Sequence, residues 1–152
     1  MNKEIERKFL VKSDEWRSAV TEKSRLKQGY LSFGPPVTVR VRLKDGKGIL
    51  TVKGPAGKDG LVRDEWEKEL SRSEAEDLFL LIQGHPVEKI RHKIPWKNHI
   101  IEVDEFIFPR KGLILAEIEL EHPGQKLELP SWIGEEVTGR PEYYNAYMAK
   151  NG

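Results

Sequence analysis

Residues 4–11 alternate strictly, with Glu4, Glu6 and Lys8 forming one set and Ile5, Arg7, Phe9 and Val11 the other, which is the two-residue period of a β-strand. Three charges therefore share one face. The same period returns at residues 38–44, where Arg40 and Arg42 sit between Val39, Val41 and Leu43. Asp45-Gly46-Lys47-Gly48 has the turn chemistry of a hairpin, and residues 49–53 read as the partner strand, stopped at Gly54-Pro55. Arg63, Glu65, Glu67 and Glu69 alternate with Asp64, Trp66, Lys68 and Leu70, so this strand carries charge on both faces. Residues 87–94 place Lys89, Arg91 and Lys93 on alternate positions, and residues 100–106 do the same with Glu102 and Asp104. Residues 113–121 set Glu117, Glu119 and Glu121 against Ala116, Ile118 and Leu120.

With residues 25–33 added, about eight strands follow one another through short turns, which predicts an antiparallel meander long enough to close on itself. One clear helix interrupts them. Ser73-Glu74-Ala75-Glu76 reads as its capping box, and Leu78, Leu81 and Ile82 supply an apolar face that ends near Gly84. Shorter helices are expected over residues 13–20 and 143–150. No linker, repeat or low-complexity segment divides the chain. The expected fold is therefore mainly β (α+β), an eight-stranded antiparallel closed β-barrel with a few flanking helices, in one domain over residues 1–152.

Composition sharpens this picture through charge density. Charged residues make up 34% of the 152, yet 26 Lys and Arg nearly cancel 25 Asp and Glu. A chain this close to neutral has no long-range field to draw it onto nucleic acid or an anionic membrane, so neither is expected as a partner and any polyanion must be held locally. The absence of cysteine excludes disulfides, thiol nucleophiles and Cys-ligated zinc. No apolar run reaches the length of a membrane span, and the N-terminus has no apolar stretch behind its charges. A cytoplasmic location is expected.

An alternating charged strand is ordinarily just a sheet with one wet face. Here charges recur at alternate positions in strand after strand and segregate by sign, acidic at Glu117 and Glu119, basic at Arg40 and Arg42 and at Lys89 and Arg91. A solvated face would mix the signs to relieve repulsion. Clustered carboxylates are the hard oxygen ligands that Mg²⁺ or Mn²⁺ takes. Clustered Arg and Lys supply charge-assisted hydrogen bonds to the oxygens of a polyphosphate. Together they describe a metal–polyphosphate site.

The segment Glu4-Ile5-Glu6-Arg7-Lys8 resembles the ExExK signature that opens the CYTH family, the triphosphate tunnel metalloenzymes. The blocks Gln28-Gly29-Tyr30-Leu31, Val39-Arg40-Val41-Arg42, Thr51-Val52-Lys53, Val87-Glu88-Lys89-Ile90-Arg91, Ile101-Glu102-Val103-Asp104 and Ala116-Glu117-Ile118-Glu119 resemble that family's in the family's order, from Glu4 to about Asn145. The resemblance implies an eight-stranded barrel around a charged tunnel and hydrolysis of inorganic triphosphate to pyrophosphate and phosphate, with two Mg²⁺ or Mn²⁺ ions. It implies that Glu4 and Glu119 bind the metal that holds the triphosphate, and that Glu6, Asp104 and Glu117 serve a second metal. Lys8 matches the family's catalytic lysine, and Tyr30 the tyrosine that partners it in arranging the attacking water. Arg40, Arg42, Lys53, Lys89 and Arg91 would grip phosphate oxygens, while Glu65, Glu67 and Glu102 would line the tunnel in support.

Other readings stay open on the sequence. A class IV-type adenylate cyclase, or a thiamine or nucleoside triphosphatase, would use the same residues on an organic triphosphate. A non-catalytic polyphosphate-binding module would share every ligand residue, and a homodimer stays open. The four histidines, His85, His92, His99 and His122, lack metal-ligand spacing and are assigned to surface or local packing. The tryptophans are expected to pack on the barrel exterior or cap its ends. Arg140-Pro141-Glu142 reverses the acidic-then-basic order usual in the family, and either pairs with itself or alters closure of the tunnel end.

Overall fold

A computed structural model describes all 152 residues. Nine strands form one antiparallel sheet: β1 (Asn2–Val11), β2 (Glu22–Phe33), β3 (Thr38–Lys44), β4 (Lys47–Lys53), β5 (Val62–Leu70), β6 (Gln83–Trp96), β7 (His99–Phe108), β8 (Ile114–Glu119) and β9 (Ile133–Glu136). Their order is β5-β4-β3-β2-β6-β7-β8-β1-β9, and a further pairing of β5 with β1 closes the first eight into a barrel. β9 is an extra strand on the end of β1 that the sequence pattern did not reveal, because four residues are too few to show a period. The β3–β4 hairpin turns through Asp45 and Gly46 alone, at φ 48° and 84°, the positive pair that a two-residue type I′ turn requires.

Closure makes parity along each strand mean inside or outside. Glu4, Glu6 and Lys8 point inward, while Ile5 and Phe9 point outward into a core completed by Trp16, Ile94, Ile101, Val103, Ala116, Ile118, Leu120, Trp132 and Ile133. This core is roofed by a 3₁₀ turn (Glu15–Ala19), which delivers the fully buried Trp16, and by the segment that carries Trp132. Trp96 donates its indole N–H to the Glu128 carbonyl at 2.8 Å, whereas Trp66 is half-exposed. His92 is buried beside Trp16 and bonded to Glu105 at 3.0 Å, a packing role. At one end the inward positions turn apolar. Tyr30, Val87, Phe106 and Leu115 meet Met148 and Ala149 of α2 (Asn145–Asn151) and stopper the barrel there.

Helix α1 (Arg72–Phe79) departs from expectation at both ends. Its cap is Ser71, not Ser73: the Ser71 hydroxyl accepts from the Glu74 N–H at 3.0 Å, and the Glu74 carboxylate accepts from the Ser71 N–H at 2.9 Å. The helix stops at Phe79, leaving Leu80 and Leu81 exposed, and Ala75 is its buried contact, set against Gly48. The chain turns so that Ile82 lies on Gly29, where a Cβ would stand only 2.5 Å from the Ile82 Cγ2. Apolar spacing at residues 78–82 therefore reflects an exit turn rather than a helical face.

Removing the cap in Ser71→Ala is expected to cost about 1 kcal/mol in a denaturant titration, whereas Ser73→Ala stays within about 0.5 kcal/mol of the parent. The reverse order would place the cap at Ser73.

Candidate functional site

The barrel encloses a cavity of about 220 Å³, lined by 22 residues of which only four are hydrophobic. Every residue singled out from the sequence lies on its wall except Asp104. The wall carries seven cations (Lys8, Arg40, Arg42, Lys53, Arg63, Lys89, Arg91) and seven carboxylates (Glu4, Glu6, Glu65, Glu67, Glu102, Glu117, Glu119), so its formal charge balances.

Some of these charges are paired and some are not. Lys53 bonds Glu4 at 2.8 and 3.0 Å and approaches Glu65 at 3.7 Å. Arg91 makes a bidentate pair with Asp104, 2.8 Å for each bond, and lies 3.4 Å from Glu102 and 3.7 Å from Glu117. Asp104 also receives Lys89 at 2.7 Å, and at 1% exposure it lies behind the wall. Asp104, expected among the metal ligands, is set back from the cavity in this structure and fixes two of its cations, Lys89 and Arg91. Lys8 is buried, bonds the Tyr143 carbonyl at 3.1 Å and faces Glu117 at 3.6 Å.

In contrast, Arg40, Arg42 and Arg63 have no carboxylate partner within 4 Å. Arg40 donates only to Thr51 Oγ1 at 3.2 Å, which itself donates to Glu67 at 2.8 Å, and the buried Arg40 Nε has no partner at all. Arg42 donates to the Gln28 amide oxygen at 2.9 Å. Arg63 lies over the Tyr144 ring, 5.0 Å from its centroid, with Lys8 at 5.5 Å from the same ring. On the acidic side Glu6 and Glu119 stand directly opposite each other across β1 and β8, as do Glu102 and Glu117 across β7 and β8. Like charges in such register destabilise one another.

The titration behaviour follows from these contacts. Burial, then Glu117 and Glu4, push the Glu6 carboxyl up to about 8. Burial and the neighbouring Glu4 likewise raise Glu65 to about 7, and Glu119 rises through burial, Glu4 and Glu102. Burial opposes charge at Glu117 too, but Lys8 and Arg91 outweigh it and hold the group down at about 2. Asp104, buried but gripped by Arg91 and Lys89, is held well below the usual carboxylate range. At Lys8 burial is outweighed by Glu117, Glu6 and Asp104, which keep it an ammonium. Burial, then Arg40 and Arg91, push Arg42 down, although a guanidinium remains charged at neutral pH.

The carboxylate side fits a divalent cation by its donors: the half-buried Glu6 and the exposed Glu119 have no cation within 4 Å, and Glu4 and Glu65 beside them share the single Lys53 ammonium. No three acidic or imidazole groups converge as a preformed metal centre, since Lys53, Lys8 and Arg91 draw several carboxylates aside.

Sequence reading missed Arg63, Tyr144, Asn145 and Thr51 on the wall. Arg63 had a signal, sharing the parity of Glu65 and Glu67. Tyr144 and Asn145 had none, because they enter from the C-terminal segment rather than from a strand. The loop between β4 and β5 closes beside them. Gly60 and Gly139 hold φ of 74° and 79°, and a Cβ on Gly60 would stand 2.5 Å from the Gly139 Cα. In the reversed motif, Arg140 pairs with Glu135 rather than with Glu142, whose carbonyl accepts from Arg110 at 2.8 Å.

A closed antiparallel barrel with a charged, sign-balanced interior defines a class of tunnel proteins. The family model described as CYTH domain matches residues 2–145, and the chain belongs to that family. Among its relatives is a protein of Acetivibrio thermocellus named inorganic triphosphatase, 41% identical over 152 residues that span 99% of this chain and 96% of the relative. A Nitrosomonas europaea protein of the same name is 35% identical, covering 96% of each chain. A solved structure of an inorganic triphosphatase superposes with a TM-score of 0.66 at 29% identity, covering 95% of this chain and 96% of that one.

The raised Glu6 carboxyl ties stability to pH with a definite sign. A folded value above the unfolded one means that its contribution is complete below about 4.5 and is lost as pH rises toward about 8. The depressed Asp104 and Glu117 act oppositely, losing their contribution as pH falls below their ordinary values. Thermal denaturation without metal should therefore show falling stability between pH 5 and about 8, and Glu6→Gln should flatten much of that fall. A Glu6→Gln profile parallel to the parent's would remove Glu6 as its source.

Proposed function

We propose that this protein is a divalent-metal-dependent hydrolase that cleaves inorganic triphosphate to pyrophosphate and phosphate inside its barrel. The observation that carries the reading is one cavity holding both arginines without a carboxylate partner, Arg40, Arg42 and Arg63, and carboxylates without a cation partner, Glu6 and Glu119. A polyanion alone would satisfy the first set and leave the second repelled. Divalent cations alone would do the converse. A metal–polyphosphate complex answers both, and a wall of balanced formal charge suits a ligand whose own charges nearly cancel. The relatives named inorganic triphosphatase, similar along the whole chain, support the same substrate.

The lining also favours an inorganic ligand over a nucleotide. Its two aromatic residues are Tyr30, packed into the apolar stopper, and Tyr144, whose ring faces Lys8 and Arg63. Neither offers a base a stacking surface.

In this reading Glu4, Glu6, Glu119 and Glu117 hold Mg²⁺ or Mn²⁺, with Glu65, Glu67 and Glu102 in support. When bound, such ions neutralise phosphate oxygens and polarise the phosphorus toward attack. Arg40, Arg42, Lys53, Lys89 and Arg91 bind and orient the phosphate chain, and Asp104 acts on it through Lys89 and Arg91. Lys8, kept charged and fixed by Tyr143 and Glu117, donates hydrogen bonds at the reacting end and with Tyr30 positions the water. Catalysis is then positioning and charge neutralisation. A cytoplasmic setting suits a cysteine-free chain, and no helix is long and apolar enough to cross a membrane.

Phosphate release from inorganic triphosphate is expected with Mg²⁺ or Mn²⁺ and lost with chelator, with ATP a much poorer substrate. Lys8→Ala should lower kcat by about 10²–10³-fold while the fold survives. Metal-independent release, cyclic AMP formation from ATP, or full activity in Lys8→Ala would contradict the reading.

A further inference from the structure

The polarity of one hydrogen-bond chain fixes the orientation of two side-chain amides. Arg42 Nε can only donate, so the Gln28 oxygen faces it at 2.9 Å and the Gln28 Nε2 points the other way. That nitrogen donates to Asn145 Oδ1 at 3.0 Å, and Lys89 Nζ reaches the same oxygen at 2.9 Å. Asn145 Oδ1 is thus doubly occupied, and the amide cannot be flipped without facing nitrogen to nitrogen. Its Nδ2 bonds nothing in the protein, is not among the sealed, unpartnered polar atoms, and belongs to a residue on the cavity wall.

Resting on the triphosphatase reading, we propose that Asn145 is a substrate-binding residue: its Nδ2 donates to a phosphate oxygen of the polyphosphate, while its Oδ1 sets Lys89 directly and Arg42 through Gln28. One neutral side chain from α2 would in this way coordinate two cations from different strands and add a donor of its own. An amide suits the place better than a third cation, because Lys89 already stands at hydrogen-bonding distance and a like charge there would be repelled. A purely structural amide would have no reason to leave its N–H₂ without a protein partner beside a cavity this rich in charge.

Two substitutions separate the roles, read by calorimetric titration of the full chain with inorganic triphosphate in Mg²⁺. Asn145→Asp keeps an acceptor for Lys89 and Gln28 but removes the donor. Asn145→Ala removes the donor without adding charge, and Asn145→Ser replaces it should the alanine variant not fold. Both the aspartate and the neutral variant should bind triphosphate at least about tenfold more weakly, with the unfolding midpoint of Asn145→Asp not lowered. Weakening in Asn145→Asp alone would be charge repulsion, and weakening in the neutral variant alone would be loss of positioning. Either outcome overturns the contact, as does parental affinity in both. A parent protein that does not bind triphosphate contradicts the function reading itself and this inference with it.

Discussion

The pairing of β1 with β5 is the constraint on which the rest depends, because it closes the sheet and commits inward-facing side chains of eight strands to one shared volume. In most small barrels that volume is filled with apolar groups. Here the apolar core has been moved outside, under the 3₁₀ turn that buries Trp16 and the segment around Trp132, and into a stopper at one end beneath α2. The middle is left to Glu, Lys and Arg. Closure therefore concentrates charge that would be unremarkable on an open wet face, and the charges must either satisfy one another or wait for a ligand.

Both outcomes are present. Asp104 with Lys89 and Arg91, and Glu4 with Lys53, are solved internally by short ion pairs. Arg40, Arg42, Glu6 and Glu119 are not, and the cost appears as a buried N–H without an acceptor and a carboxyl pushed up to about 8. Such groups oppose folding, so their presence in one cavity is better explained by what they bind than by what they stabilise. The paired set holds its members in place, and the unpaired set is the one that the proposed function assigns to ligand binding.

Most of the strand architecture was legible in the sequence because period two needs no knowledge of neighbours: Glu4-Ile5-Glu6-Arg7-Lys8 already separates inside from outside. Pairing across the barrel was not legible. Nothing in residues 100–106 distinguishes Glu102, on the wall, from Asp104, behind it, since their difference lies in how deeply Lys89 and Arg91 draw one of them in. Asn145 was invisible for another reason: it arrives from a seven-residue helix without charge or period, and its meaning exists only beside Gln28 and Lys89. The helix cap was misplaced by two residues because Ser71 and Ser73 both precede an acidic residue at a permissible spacing, and the choice falls to Ser71 through its bond to the Glu74 N–H.

The central claim is that the cavity is polarised, with metal on the carboxylate side and phosphate on the arginine side. A crystal structure grown with Mn²⁺ and a non-hydrolysable triphosphate analogue, with anomalous scattering to locate the metal, tests it most directly. The account predicts manganese among Glu4, Glu6 and Glu119 and phosphate oxygens against Arg40 and Arg42, all inside the barrel. Manganese bound only on the outer surface, or an analogue seated away from those arginines, would contradict it.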